Sequence, residues 1–193
     1  MSEGHRGAPE GVVDLRRLDL APGAGARVDV PVPLDDITLG GQPYVPDPRV
    51  VDARLDVGSS GSGIGLRLRF TTAVTGPCQR CLAPSSCTIA VDARDFQASG
   101  RADAHEADDD LDCEYLSGPM RMELDVAAWA RDALAEALPM SILCREDCAG
   151  LCARCGADLN ASPCECVDDE VDPRWAALGE LKERLGEATD DDG

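Results

Sequence analysis

Residues 49–74, RVVDARLDVGSSGSGIGLRLRFTTAV, decide the fold, because they hold two runs in which apolar and polar side chains alternate. The apolar residues of the first run are Val51, Ala53, Leu55 and Val57. Those of the second run are Leu66, Leu68 and Phe70, and the turn signal SSGSG at 59–63 separates the two runs. Alternation with a period of two is typical of strands that have one buried and one wet face. The stretch therefore predicts an antiparallel hairpin.

Similar patterns extend the predicted sheet in both directions. Val28, Val30 and Val32 alternate with polar residues upstream, and CTIAVDARDF at 87–96 repeats the pattern downstream with Ile89, Val91 and Ala93 on one side. Residues 34–48 contain three prolines and a Gly-Gly pair, which predicts a loop.

Helical periodicity appears in two places. In residues 121–138 the apolar positions fall on one stripe, and Pro139 is a stop signal. The stripe consists of Met122, Val126, Trp129, Ala133, Leu134, Ala137 and Leu138. Pro173–Leu185 predicts a second, terminal amphipathic helix. Between sheet and main helix, residues 99–112 predict an acidic loop and residues 113–116 a short strand.

These elements predict an α+β protein: a small antiparallel β-sheet domain with one main helix, followed by a cysteine-rich zinc-binding module and a terminal helix. The expected organisation is a disordered N-terminus at 1–11, the sheet and helix domain at 12–140 and the zinc module at 141–171. The terminal helix is expected at 172–186 and a disordered acidic tail at 187–193.

The charge limits the classes of partner. The 193 residues carry 37 acidic and 18 basic side chains, a formal net charge of −19. Such a field repels phosphate backbones and anionic membrane surfaces. It favours a basic partner, and the alternative is that the charge serves only solubility or a salty cytosol. No apolar run approaches the roughly 20 residues of a membrane span, and the first residues do not resemble a secretion signal. We therefore expect a cytoplasmic protein that does not bind membranes.

In the reducing cytosol, ten cysteines indicate metal ligands rather than disulfides. Six lie within CREDCAGLCARCGADLNASPCEC at 144–166, and a Cys-x-x-Cys pair lies between two predicted strands. Spacing favours one Cys₄ set made of Cys152, Cys155, Cys164 and Cys166. The preferred arrangement places the remaining paired cysteines, Cys78, Cys81, Cys144 and Cys148, in a second set, although spacing leaves other pairings open. Cys87 and Cys113 are left as spare thiols. We expect one or two structural Zn²⁺ ions.

Other chemistries fit these residues less well. The Cys78 pair is not at the start of a helix in a βαβ unit, where a redox dithiol is expected, and the spacings differ from those of iron–sulfur proteins. His5 and His105 lie in predicted flexible segments, and no phosphate-binding glycine motif is present. A non-enzymatic binding protein is the predicted class.

The residues resemble those of a known family. CQRC after a hairpin strand, ALPMSILC at the end of the helix, the run C-x-x-x-C-x-GLC-x-x-CG-x-x-LN and the terminal DPRWAALGELKERL together resemble the YceD family, the large ribosomal RNA subunit accumulation proteins. The resemblance spans residues 12 to 186 and implies a non-enzymatic role in ribosome biogenesis.

Three hypotheses for the function follow. In the first, the protein binds a basic ribosomal protein or a large-subunit assembly intermediate through the acidic residues Asp108, Asp109 and Asp110 and the terminal-helix residues Trp175, Leu178 and Leu181. In the second, it contacts ribosomal RNA directly through Arg67, Arg69, Arg80 and Arg94. In the third, it is a regulator that responds to thiol oxidation or zinc.

Overall fold

The computed structural model describes residues 11–98, 113–166 and Leu178. The chain divides into two compact units, Met1–Gly150 and Leu151–Gly193. The division falls later than residue 141, where the sequence places the start of the cysteine-rich module. Residues 99–112, with Asp108, Asp109 and Asp110, lie outside the described residues, as does the predicted terminal helix apart from Leu178.

The described part of the first unit contains nine strands and one α-helix. The strands are β1 (Val12–Asp14), β2 (Gly25–Pro33), β3 (Ile37–Leu39), β4 (Gln42–Asp47), β5 (Val50–Ser60), β6 (Gly63–Pro77), β7 (Pro84–Ala98), β8 (Leu116–Ser117) and β9 (Glu123–Asp125). The helix is α1 (Val126–Ala137), and two short 3-10 turns cover Leu15–Leu18 and Pro119–Arg121. The fold is thus mostly antiparallel β-sheet with one main helix.

β6 is the organising strand of the larger, antiparallel sheet. β7 pairs with its whole length, from Gly63 opposite Ala98 to Pro77 opposite Pro84. The other edge of β6 is shared: β5 pairs with its first half and β4 with its second half. β2 continues the sheet beyond β5, and β3 continues it beyond β4. A smaller sheet has the order β1-β9-β8.

The hydrophobic core lies on the face of the larger sheet that the alternation predicted. Val51, Leu55 and Leu68 are buried, whereas Asp52 and Arg54 between them are exposed. The predicted strands correspond to β2, β5, β6 and β7, and their apolar faces are confirmed. Burying these side chains is the main source of stability, since apolar surface removed from water contributes about 25 cal/mol per Å².

The helix α1 packs on this core through Trp129, Ala130 and Leu134. It contacts both β7 and β2. Asp125 caps its N-terminus, because the Asp125 carboxylate accepts a 2.9 Å hydrogen bond from the Ala128 backbone N–H. The helix stops before Pro139, since a residue that precedes proline avoids the helical conformation and Leu138 is extended.

The start of the predicted helix was wrong. Residues 121–125 are not α-helical: a 3-10 turn ends at Arg121, and Glu123–Asp125 forms β9, which pairs with β1. Leu124 is fully buried in this small sheet, which satisfies its side chain without a helix. The predicted strand at 113–116 is also shifted, because the structure has a turn there and places β8 at Leu116–Ser117.

The predicted loop at 34–48 is instead the β3–β4 hairpin. Gly40 and Gly41, both with positive φ, form its two-residue turn, a position that favours glycine. The prolines of β4 are tolerated because β4 pairs with β3 through residues 42–44 and with β6 through residues 45–47, so each half is bonded on one side only. The hairpin places Tyr44 in the core beneath the end of β6.

The packing of Tyr44 predicts that protein stability is sensitive to substitution at Gly76. A Cβ atom at Gly76 would overlap the ring of Tyr44, whose hydroxyl donates a 2.8 Å hydrogen bond to the Pro77 carbonyl. Gly76→Ala should therefore lower the free energy of unfolding by about 1–3 kcal/mol, measured by urea denaturation. Gly58→Ala is the matched control, because a Cβ there meets no atom within 4 Å. Equal stability of the two variants would contradict this role of Gly76.

Candidate metal centres

The first cysteine cluster joins the tip of the β6–β7 hairpin to the segment that follows α1. Cys78 and Cys81 lie in the turn between the two strands, and Cys144 and Cys148 lie after the helix. The four Sγ atoms all lie within 4.8 Å of one another. Cys78 Sγ is 3.8 Å from Cys148 Sγ, and Cys81 Sγ is 3.6 Å from Cys144 Sγ.

The second cluster is local. Cys152, Cys155, Cys164 and Cys166 also have Sγ atoms within 4.8 Å of one another. A β-bridge between Leu151 and Asp158 lies beside it in the described residues. The two clusters coincide with the two sets expected from the spacing.

Each cluster begins with the same turn. In the first cluster the Cys78 N–H donates to the Ala83 carbonyl (2.7 Å) and the Leu82 N–H to the Cys78 carbonyl (2.9 Å). In the second cluster the Cys152 N–H donates to the Ala157 carbonyl (2.8 Å) and the Gly156 N–H to the Cys152 carbonyl (2.9 Å). The sequences CQRCLA and CARCGA thus adopt one turn in which two thiols converge.

Backbone N–H groups also point at the first thiol of each turn. The Arg80 N–H lies 3.5 Å from Cys78 Sγ, and the Arg154 N–H lies 3.4 Å from Cys152 Sγ. Such hydrogen bonds favour a thiolate, because they stabilise its negative charge.

The arrangement fits zinc. A tetrahedral ion with Zn–S bonds of about 2.3 Å separates its sulfurs by about 3.8 Å. The Cys78–Cys148 and Cys81–Cys144 distances match this value, and all ten cysteines are free rather than joined in disulfides. Four soft thiolates in a tetrahedral set suit Zn²⁺ or an iron–sulfur centre, and they complete the coordination of a structural zinc site.

The thiols within each cluster differ in pKa. Burial acts to raise the pKa of Cys78, but hydrogen bonds from backbone N–H groups, including that of Arg80, outweigh it and lower the pKa to about 6. Backbone N–H groups of Cys155 and Arg154 likewise lower the pKa of Cys152 to about 6. In the first cluster, the hydrogen bond with the neighbouring Cys81 thiol raises the pKa of Cys144 to about 12. Cys78 and Cys152 therefore ionise more readily than an ordinary thiol, and metal binding favours the thiolate form of its cysteine ligands.

Contacts beyond the thiols brace the first cluster. The Gln79 N–H donates to the Ile142 carbonyl at 3.0 Å, and Arg80 Nη1 donates to the Cys148 carbonyl at 2.9 Å. Ile142 is only 1% exposed and belongs to the core. Sequence reasoning missed this bracing, since only the closed turn brings Arg80 to Cys148.

The other predicted site residues are not gathered with these clusters. Cys87 is half-exposed on β7, and Cys113 is buried, which raises its pKa to about 12. Leu178 is helical and 51% exposed. Trp175 and Leu181 lie outside the described residues, so their role in partner binding stays a prediction.

The architecture defines a class of protein: an antiparallel sheet with one packed helix and two tetrathiolate clusters beginning with the same turn. A model of the YceD family, described as large ribosomal RNA subunit accumulation protein YceD, matches residues 66–182, more than half of the chain. The chain belongs to the YceD family.

Individual relatives agree with this assignment. An uncharacterized protein of Mycobacterium tuberculosis is 29% identical over 132 residues, 68% of this chain and 62% of the relative, so the chain spans less than two thirds of that protein. One of Mycobacterium leprae is 28% identical over 178 residues, 88% of this chain and 76% of the relative. The large ribosomal RNA subunit accumulation protein YCED homolog 1, chloroplastic, of Arabidopsis thaliana is 33% identical over 67 residues, 35% of this chain and 21% of that protein.

No solved structure matches the chain significantly. Within the part of the chain that the structure describes, no helix combines the length and apolar character needed to cross a membrane.

The clusters predict a metal content. Protein purified with its metal should contain about two zinc ions per chain by elemental analysis, because each set of four thiols completes one tetrahedral site. Cys152→Ser should lower this by about one ion, whereas Cys87→Ser, outside both clusters, should leave it unchanged. Iron with visible absorbance, or less than about half an equivalent of zinc, would contradict zinc as the metal.

The turn of the first cluster predicts a strained residue. Leu82 has a φ of 62° and is 60% exposed, whereas the matching position of the second turn is Gly156. Leu82→Gly should raise the stability of the zinc-loaded protein by roughly 1 kcal/mol in urea denaturation, because glycine adopts this conformation without a Cβ clash. Leu82→Ala is the control, since it shortens the side chain but keeps the clash. Equal effects of both variants would rule out backbone strain.

Proposed function

We propose that the protein is a non-enzymatic ribosome-biogenesis factor that supports accumulation of large-subunit ribosomal RNA. The observation that carries this proposal is the family match over residues 66–182, a range that contains both cysteine clusters and the helix α1. The name of the Arabidopsis relative supports the same role.

The clusters support a binding role rather than catalysis. A catalytic zinc site keeps one coordination position open for water or substrate. Here each cluster supplies four thiols, and they leave no such position. Zinc would then brace the fold: in the first cluster by fastening the hairpin tip to the segment after α1, and in the second by closing residues 152–166.

Charge supports a basic partner. The chain carries a net charge of −19, which steers association toward basic surfaces and weakens in high salt. We propose a basic ribosomal protein or a large-subunit assembly intermediate as the partner. Its predicted contacts are the acidic residues Asp108–Asp110 and the terminal-helix residues Trp175, Leu178 and Leu181.

Ion pairs on the exposed face of the sheet weaken the case for direct RNA binding. Arg67 Nη2 lies 2.5 Å from Asp92, and Arg69 Nη2 lies 2.5 Å from Asp56. Arg67 holds the pKa of Asp92 below its usual value, so this aspartate stays ionised near neutral pH. Arg80 donates to the Cys148 carbonyl. Phosphate groups would have to compete with these internal partners for Arg67, Arg69 and Arg80, whereas the fourth arginine of this hypothesis, Arg94, is exposed on β7.

A deletion strain tests the cellular role. Loss of the protein should lower the ratio of large to small ribosomal subunits in sucrose gradients, and expression of the wild-type chain should restore it. A normal profile, including under cold stress, would show that the protein is dispensable for large-subunit assembly.

A binding experiment tests the partner. Purified protein should co-sediment with large-subunit precursor particles at low salt and dissociate at high salt, because opposite charges bring the surfaces together. Asp108, Asp109 and Asp110 changed together to Asn should weaken binding, whereas the same change at Asp190, Asp191 and Asp192 in the tail should not. Equal weakening would show that net charge alone acts. In a separate pull-down of a basic ribosomal protein from lysate, capture that survives ribonuclease treatment would favour a protein partner, and loss of capture would favour RNA.

A further inference from the structure

We propose that the two cysteine clusters release zinc at different rates: the first holds a structural ion that exchanges slowly, and the second holds an ion that exchanges readily. Occupancy of the second centre then decides whether residues 151–166 are folded, while the sheet and α1 persist in either state. This inference rests on zinc being the metal, as in the proposed function, but it does not depend on the ribosomal role.

Burial protects two of the four ligands of the first centre. Cys78 is 0% and Cys148 is 2% exposed, so a competing chelator has no direct path to these two sulfurs, whereas Cys81 is half-buried and Cys144 is exposed. The ligands come from separate parts of the chain, the hairpin tip and the segment after α1. Releasing the metal therefore requires these two parts to separate.

Separation of the two parts is opposed by contacts that do not involve the metal. The hydrogen bonds from Gln79 to Ile142 and from Arg80 to Cys148 would both break. The side chain of Ile142, buried in the core, would lose its packing if the segment moved away. Opening of the first centre is thus coupled to unfolding of the main unit, which is a rare event in a stable domain.

Within the described residues 151–166, no comparable burial protects the second centre. None of residues 151–166 is buried, and the sulfurs of Cys155 and Cys166 belong to exposed residues. Leu151 and Leu159, the large apolar side chains of this stretch, are both only half-buried. A segment without buried apolar side chains cannot offset the conformational entropy of folding, so its order must come from metal binding.

Exchange at the second centre therefore needs only local opening. A competing ligand approaches the exposed sulfur of Cys155 or Cys166, takes that position on the metal, and the freed thiolate binds a proton from water. The ligand that removes the zinc is a small chelator or a thiol-rich protein of higher affinity. When free zinc falls, the protein should lose one ion and unfold residues 151–166 only.

Release kinetics test the difference. Zinc-loaded full-length protein is mixed with excess 4-(2-pyridylazo)resorcinol, and the absorbance of the zinc–dye complex is followed. We expect two phases of one equivalent each, with rates that differ at least about tenfold, since one opening is local and the other global. Cys164→Ser should remove the fast phase, and its counterpart Cys81→Ser should remove the slow phase.

A second measurement needs no variant and so does not depend on the folding of Cys81→Ser. Wild-type protein is alkylated with N-ethylmaleimide after one equivalent has left, and the modified cysteines are identified by mass spectrometry. Cys152, Cys155, Cys164 and Cys166 should be modified, whereas Cys78 and Cys148 should stay protected. Hydrogen exchange at that stage should show lost protection in residues 151–166 and unchanged protection in β6 and β7.

Three results would overturn the proposal: a single release phase for both ions, a fast phase that Cys164→Ser leaves intact, or early modification of Cys78 and Cys148. These outcomes are independent of the ribosomal role. Two separate release phases together with a normal ribosome profile in the deletion strain would leave the proposal standing while refuting the proposed function, and the reverse combination would do the opposite.

Discussion

The unbroken pairing of β6 with β7 is the constraint on which the rest of the main unit depends. Both strands are 15 residues long and remain in register from Gly63 opposite Ala98 to Pro77 opposite Pro84. The helix α1 contacts β7 of this hairpin, and the turn at the tip of the hairpin carries Cys78 and Cys81. Because the strands are continuous, the position of the thiols is tied to the packing of the core. A metal bound at this tip would therefore use two thiols, Cys78 and Cys81, whose positions are already fixed by the sheet.

The two faces of the larger sheet differ: apolar side chains lie on the face that forms the core, and charged side chains lie on the outward face. The outward face of the sheet holds arginines and aspartates on neighbouring strands, as in the pairs Arg27–Asp56 and Arg67–Asp92. These pairs are exposed, so each contributes little to stability. Their effect is to offset acidic charge with basic charge on the sheet, although the chain as a whole carries −19. Much of the uncompensated negative charge falls in the predicted acidic segments, which is where a basic partner would be attracted.

The parts of the fold predicted from the sequence are those that local pattern determines. Strands β2, β5, β6 and β7 each have one face in the core, and their alternation shows it directly. The β3–β4 hairpin was missed because proline and glycine mark loops as well as tight turns, and only the pairing of β4 with two different strands explains its prolines. The helix start was placed too early because Met122 lies four residues before Val126, which is a helical spacing, although the residues between them form β9. Cysteine spacing predicted which four thiols come together in each of the two clusters. The strain at Leu82 and the contact of Arg80 with Cys148 depend on turn geometry and on tertiary packing, which spacing does not contain.

Comparison of the two clusters shows which features come from the short cysteine motif and which come from the residues packed around it. CQRCLA and CARCGA form the same hydrogen-bonded turn and bring the same kind of thiol to a backbone N–H, so six residues are enough to build half of a tetrahedral site. In one case the turn joins two strands of 15 residues each, and its partner ligands are anchored through Ile142 in the core. In the other, the partner ligands follow within the same exposed stretch. The first metal would therefore add to a fold that apolar burial already supports, whereas the second would supply the folding energy of its segment itself. Identical ligand chemistry would thus have different consequences in the two units, and the difference would arise from the burial around the ligands.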